Sequence, residues 1–399
     1  MTRSRNSRCA AWPRVALAVG LSAAASMASA QSQGVSASEV VVGSISDLSG
    51  PVAGYGKDVR NGMLMRIDEL NAQGGVHGRK LRMIVEDNAY DPKRTVLAAQ
   101  KLVNQDKVFA VIGTFGTVHA LAAMQVQDPK QVFNLFPMAL SRDMYEPLHK
   151  LHYAWMPSYY DQIQAVMGAL YKKQGAKKAC AIYQDDDYGQ EVVQGAEAAL
   201  KALGATLHER TSFKRGATDF SSQVARLKQA GCDFVVMGTL IRESVGTISE
   251  ARKLNFAPTF FAASSAYTDL IPKLGGPAMD GFFAATTAAH PYLDDASPAV
   301  REWAGRYQAQ FKTPPTVMSV YGYGKISLLA KGLETAGAQL TVDSFARAME
   351  SLSEVPGDIF GNPPMHFSAT QHMGSAKTRL SQLQNGRWKV VMDYADVGR

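Results

Sequence analysis

The sequence predicts an α/β protein of two lobes, each a doubly wound parallel sheet with helices on both faces. Short apolar runs rich in β-branched residues alternate with segments of helical period, the signature of repeated βα units. The alternation comes in two sets, one starting near residue 39 and the other near residue 178. At 399 residues the chain is also longer than one hydrophobic core usually organises.

Residues 1–30 stand apart. Arg3, Arg5, Arg8 and Arg14 give a basic start with no acidic residue, Val15 to Met27 is small and apolar, and Ala28-Ser29-Ala30 is a small-x-small ending. This is the pattern of a secretory signal peptide cut after Ala30, with an apolar part too short to span a bilayer. Removing its four arginines takes the formal net charge from +7 to +3, so most of the basic balance belongs to the leader. No nucleic-acid partner is expected from what remains. No later stretch is apolar enough for a membrane span. Beyond the leader only Cys180 and Cys232 remain, each at the start of an apolar run. They either pair across neighbouring strands in an oxidising compartment or pack as two buried thiols.

The elements follow in order. "EVVVGSI" (39–45) is a strand, and Val59, Met63, Ile67 and Leu70 then share one face of a helix that stops at Gly74-Gly75. "KLRMIVED" (80–87) is the next strand. Asp91 and Pro92 supply the N-cap and first-turn proline of a helix running through Val103. "KVFAVIGT" (107–114), a helix over 118–127 and the strand "QVFNLF" (131–136) complete the first set. The second set has "KACAIYQ", a helix with Val193, Ala196, Leu200 and Leu203 on one face, "ATLHERTSF", a helix over 219–230, and "CDFVVMGTL". Ligands in such folds bind beyond the carboxyl ends of the strands, so the loops there are where function is sought.

The first of those loops, "DLSGPVAGYG" (47–56), has the setting of a phosphate cradle but not its chemistry. Gly54 and Gly56 lack the third glycine, because position 59 is Val, and Pro51 has no N–H to offer a phosphate. Gly56-Lys57 is followed by Asp58 where a Walker loop needs Ser or Thr. Metalloprotease, nucleophile-elbow and CxxC motifs are absent, and no cofactor, metal or catalytic constellation is expected. His149 and His152 are spaced for one helical face, but the sequence shows no third ligand near them. Asp185-Asp186-Asp187 reads as a solvated loop or the cap of the following helix. Each half places a Tyr-Gly pair, Tyr55-Gly56 and Tyr188-Gly189, between its first strand and first helix. The pairs are either a coincidence of common turn residues or an aromatic from each lobe reaching the gap between them. In "IGTFGTVHA" (112–120), Thr117 is placed to cap a helix whose first-turn N–H groups favour an anion, and Gly116 lets a carboxylate approach the backbone.

The stretch "LSGPVAGYGKDVRNGMLMRIDELNAQGG", with "VIGTFGT", "YQDDDYGQ", "TDFSSQVARLKQAGCDFVVMG" and "VMSVYGYGKISLLAKGL", resembles the leucine/isoleucine/valine-binding proteins. These are the solute-binding components of branched-chain amino acid type ABC transporters, and the likeness covers essentially the whole chain after the leader. It implies a type I periplasmic binding fold, with the two lobes joined by three crossover segments and closing on a ligand. The implied crossovers lie near 153–158, 281–288 and 364–370. One lobe then takes residues 38–154 and 288–364, and the other 155–287 and 365–399. A periplasmic location, a monomer and an inner-membrane ABC permease as partner are also implied.

Carried over residue by residue, the resemblance makes Tyr55 the first-loop aromatic and Thr117 the hydroxyl that holds a ligand carboxylate with nearby backbone N–H groups. Phe115 lies in the same loop. Met138 and Ala139 match a second backbone segment at that carboxylate. Leu140 stands where the family usually has Thr, with Ser141 next to it as a replacement hydroxyl. Tyr188 matches the aromatic of the second lobe. Ser264 replaces the acidic residue that pairs a ligand ammonium, and Leu240 and Arg242 stand near a position that otherwise carries tyrosine. A buried ammonium without an anionic partner is costly. The expected ligand is therefore a small carboxylate-bearing molecule with an apolar or aromatic body rather than leucine, isoleucine or valine. An amino acid binder, a ligand-sensing regulator or chemoreceptor on the same fold, and a secreted α/β enzyme are the competing readings.

Overall fold

The computed structural model describes residues 32–395, so the expected signal peptide lies outside the described residues. The first sheet contains β1 (Glu39–Ser46), β2 (Lys80–Asp87), β3 (Ala110–Ile112), β4 (Phe133–Leu135) and β5 (His152–Tyr153), all parallel, in the order β2-β1-β3-β4-β5. Between these strands run α1 (Ala53–Ala72), α2 (Pro92–Gln100) and α3 (Thr117–Gln127). β1 is apolar on both faces because both are covered. Val40 and Val42 enter the core that includes Val59 and Met63 of α1, while Val41 and Ile45 pack with Ala98, Ala99 and Ala123 of α2 and α3.

The chain then passes to a second sheet. Its parallel strands are β6 (Ala179–Gln184), β7 (Glu209–Phe213), β8 (Phe234–Gly238), β9 (Thr259–Ala262) and β10 (Phe283–Thr286). They alternate with α4 (Tyr159–Lys173), α5 (Asp187–Lys201), α6 (Ser221–Gln229), α7 (Ile241–Lys253) and α8 (Leu270–Gly275). After β10 the chain returns to the first lobe as α9 (Pro298–Phe311), α10 (Val317–Ala336) and α11 (Val342–Glu350). There Phe345 of α11 packs edge-on against Phe109 and Phe133. A third crossing leads to the antiparallel β11 (Thr378–Gln384) and β12 (Arg387–Ala395), which extend the second sheet beyond β10.

Most predicted elements form at or near their expected limits. Asp91 caps α2 by accepting the N–H groups of Lys93 and Arg94, but the regular helix ends at Gln100 and gives way to a π-type turn over Lys101–Gln105. Asp186 caps α5, accepting the Gly189 N–H at 3.3 Å. Cys180 and Cys232 form a disulfide that ties β6 to the approach to its neighbour β8 across 52 residues of sequence. Replacing both cysteines by Ala should cost about 2–4 kcal/mol, seen as a lower unfolding midpoint in denaturant with a near-unchanged response to added reductant.

The loop before α1 uses up its own donors. The buried Asp47 carboxylate accepts the N–H groups of Ser49, Gly50 and Val52, at 3.2, 2.5 and 2.8 Å, leaving none of the three for a phosphate. Each Tyr-Gly pair falls in the first turn of its helix, α1 or α5. A Cβ on Gly56 would overlap the carbonyl oxygen of Asp47, just past β1, and one on Gly189 would overlap that of Gln184, at the end of β6. Glycine is thus what lets each helix start directly against the end of its strand. The adjoining tyrosines are thereby set at the carboxyl edge of the two sheets.

Asp58, on α1, accepts the Thr316 hydroxyl at 2.9 Å, yet burial pushes its carboxyl from 3.8 up to about 6. The folded chain therefore holds a proton there that the unfolded chain has lost between about pH 4 and 6. Stability should fall as pH rises through that window, leaving a penalty of about 1–3 kcal/mol at neutral pH. Asp58→Asn keeps the acceptor and should melt higher than the parent at pH 7.5, with the difference vanishing below pH 4.

Candidate ligand-binding cleft

The carboxyl ends of the strands in both sheets meet at one enclosed cleft. The first lobe supplies Tyr90 after β2, Phe115, Gly116 and Thr117 after β3, Met138 and Leu140 after β4, and Met318 and Tyr321 from α10. The second supplies Tyr159 from α4, Tyr188 from α5, Leu240 after β8, and Ser264 and Ser265 after β9. In this closed arrangement its cavity volume is small, about 30 Å³. None of these lining side chains carries a charge. Burial holds the phenols of Tyr90, Tyr159 and Tyr188 above the ordinary tyrosine range, so each remains a neutral O–H.

The first lobe brings a helix start to the cleft. α3 begins at Thr117 with no side-chain cap, and its first helical hydrogen bond runs from Ala120 N–H to Gly116 O. The N–H groups of 117–119 therefore have no partner within the helix. The Thr117 hydroxyl is buried without a hydrogen-bond partner, as is that of Thr114 two residues before the helix-capping glycine. Uncapped donors, the positive end of the helix dipole and a free hydroxyl together favour an anion at this terminus. The cap is Gly116, at φ +94°, rather than Thr117. A Cβ on residue 116 would overlap the His119 ring, so the tight entry that exposes these donors requires glycine.

Of the other expected contacts, Phe115, Met138, Tyr188, Leu240 and Ser264 line the cleft, whereas Tyr55, Ala139, Ser141 and Arg242 do not. Tyr55 is fully buried behind Phe115, their rings stacked at 5.5 Å. Ala139 is buried in a small cluster with Ala120, Met124 and Tyr145. Ser141 is turned away by its own local bonding: it caps the short turn at 142–144 and donates its hydroxyl to Asp143 at 2.8 Å. Arg242 is partly exposed on α7, with Nε 3.9 Å from Glu243. The backbone N–H groups of Gly116 and Met138 are spent on Met138 O and Thr114 O.

Sequence reasoning missed Tyr90, Tyr159, Ser265, Met318 and Tyr321. Ser265 joins the two Tyr-Gly devices. Tyr55 donates its hydroxyl to the Ser265 carbonyl at 2.6 Å, and the Tyr188 hydroxyl lies 2.5 Å from the Ser265 hydroxyl and donates to Thr239 O at 3.0 Å. The lobes also meet where Arg142 donates to Glu191 at 2.9 Å while lying over the Tyr160 ring. Arg215 of the second lobe lies 5.6 Å from the Tyr90 ring centre. These contacts across the gap describe a closed arrangement.

Known proteins share this organisation. A Pseudomonas aeruginosa protein named amino acid binding protein is 28% identical over 323 residues, covering 80% of this chain and 83% of its own length. The leucine-, isoleucine-, valine-, threonine-, and alanine-binding protein of the same organism is 26% identical over 319 residues, covering 79% and 84%. Among solved structures, the fatty acid ABC transporter substrate-binding protein from Thermomonospora curvata superposes with a TM-score of 0.83 at 26% identity. That match covers 92% of this chain and 95% of the other. The family profile described as periplasmic binding protein matches residues 39–387, and the chain therefore belongs to the periplasmic binding protein family.

Proposed function

We propose that this protein is the extracytoplasmic solute receptor of an ABC importer and binds a small organic acid with an apolar or aromatic body. The observation that carries the ligand assignment is the composition of the cleft. An uncapped helix terminus with the free Thr117 hydroxyl faces a lining of tyrosines, Phe115, methionines and leucines that contains no carboxylate. A carboxylate is matched there, while a zwitterion would bury its ammonium without a charged partner. The fatty acid receptor at 26% identity is consistent with this reading, and the branched-chain relatives favour the amino acid alternative.

Function follows from closure. The first lobe captures the carboxylate at α3, and closure brings Tyr188, Leu240 and Ser264 over the body of the ligand. A permease would then read the closed shape. About 5.5 kcal/mol of preferential binding moves a two-state equilibrium from 1:99 to 99:1. The reading is of binding and delivery, with no chemical step. It is tested by thermal shift of the purified protein against aromatic acids, aliphatic carboxylates and amino acids. A ligand at 100 times its Kd should add about 2.7 kcal/mol of stability. Strong shifts with acids and none with leucine, isoleucine or valine support the assignment, and the reverse pattern selects the amino acid alternative.

A further inference from the structure

We propose that Asp128, His149 and His152 form a site for a divalent transition-metal ion of the zinc class, separate from the solute cleft. The sequence offers the two histidines with no third ligand, because Asp128 lies 21 residues before His149. The fold supplies it. Asp128 follows α3 at its carboxyl end, His149 stands in the turn that enters β5, and His152 is the first residue of that strand. Helix ends and strand starts of a parallel α/β layer lie on the same side, so the three meet at the end of the lobe opposite the cleft.

One ligand atom from each residue lies within 4.8 Å of the other two. His152 Nε2 is already 2.8 Å from Asp128 Oδ1, and the two imidazole rings are 4.2 Å apart between centres. A tetrahedral zinc ion with ligands at about 2.0–2.2 Å wants its ligand atoms roughly 3.3 Å apart. The remaining closure is small, and His149 can supply it because it is only partly buried. Its one contact at Nδ1, a 3.3 Å approach of the Leu151 N–H, is released as the ring turns. Loading would place the ion between His152 Nε2 and Asp128 Oδ1, with the neutral His152 ring carrying its hydrogen on Nδ1.

The segment carrying the two rings is held from outside. His372, in the segment leading to β11, has Nδ1 at 3.1 and 3.0 Å from the carbonyl oxygens of His149 and His152. Carbonyls only accept, so Nδ1 carries the hydrogen and clamps both residues of the pair. The His152 N–H donates to His149 O at 3.1 Å and closes the same turn. Two imidazoles and a carboxylate are a borderline donor set that suits zinc over magnesium or calcium, with the fourth position left to water. An ion here would brace β5 where the chain leaves the first sheet, without touching the solute.

The test is calorimetric titration of the chelator-treated full chain with zinc chloride alone. One ion per chain is expected, with affinity reduced at least about tenfold in Asp128→Asn and in His149→Ala, and unchanged in His208→Ala at an exposed histidine. Both triad positions are partly exposed, and melting curves taken without zinc verify that the variants fold. Zinc uptake that is absent from the parent chain, or equally strong in the Asp128→Asn/His149→Ala double variant, overturns the proposal. Neither result depends on which solute the cleft binds.

Discussion

Thr117→Val should weaken binding of the acid ligand roughly 10- to 100-fold, measured as Kd by calorimetry. The substitution keeps the size and branching of the side chain and removes only its hydroxyl. That hydroxyl is buried and unpartnered, and Thr117 lines the cleft, which leaves the hydroxyl free to bond a ligand atom there. A hydrogen bond to a charged group contributes about 1.5–3 kcal/mol, which sets the size of the effect. The free protein should melt at or slightly above the parent temperature, because an unsatisfied buried polar atom has been removed. Loss of affinity without loss of stability separates a ligand contact from a packing role. Equal affinity in the variant would mean that the carboxylate does not sit at α3.

The largest loss of stability is expected from Gly62→Ala. Gly62 of α1 and Gly322 of α10 make the two helices meet backbone to backbone. A Cβ on Gly62 would overlap the Ser319 carbonyl oxygen, and one on Gly322 would overlap that of Val59. Neither oxygen belongs to a flexible side chain, so the helices must separate. The cost should be about 3 kcal/mol or more, lowering Tm by about 4 °C or more. Gly305→Ala in α9 is the contrast, since a Cβ there meets nothing within 4 Å. It should be neutral or stabilising by up to about 1 kcal/mol. Because α10 brings Met318 and Tyr321 to the cleft, Gly62→Ala should also weaken solute binding.

Much of this architecture was legible because it is local. The run from Val40 to Ile45 is apolar at nearly every position because helices cover both faces of β1, and Asp91-Pro92 starts a helix by its own chemistry. The Tyr-Gly pairs were visible too, and their cause is a contact between neighbouring elements, each glycine against its own strand end. The cleft was legible only in part. Thr117 announces itself beside a glycine at a helix start, whereas Met318 and Tyr321 lie about 200 residues further along, on a helix whose facing no local pattern gives. Tyr90 enters the cleft through a left-handed turn, with Ala89 and Tyr90 at φ +47° and +58°, which side chains of this kind do not advertise. The Ser141 hydroxyl is not on the cleft lining because alignment to a motif gives position along the chain, not direction. Ser141 spends its hydroxyl on Asp143 two residues away.

The proposed preference for a carboxylate rests on a cleft lining without a charged partner for an ammonium. The direct measurement is calorimetric titration with a matched pair: the tightest acid from the thermal-shift panel and the same molecule carrying an α-amino group. With no charged side chain in the lining, the added ammonium should cost several kcal/mol, an affinity loss of roughly 100-fold or more. An α-amino counterpart that binds as tightly as the acid, or more tightly, would contradict the assignment and make the protein an amino acid receptor.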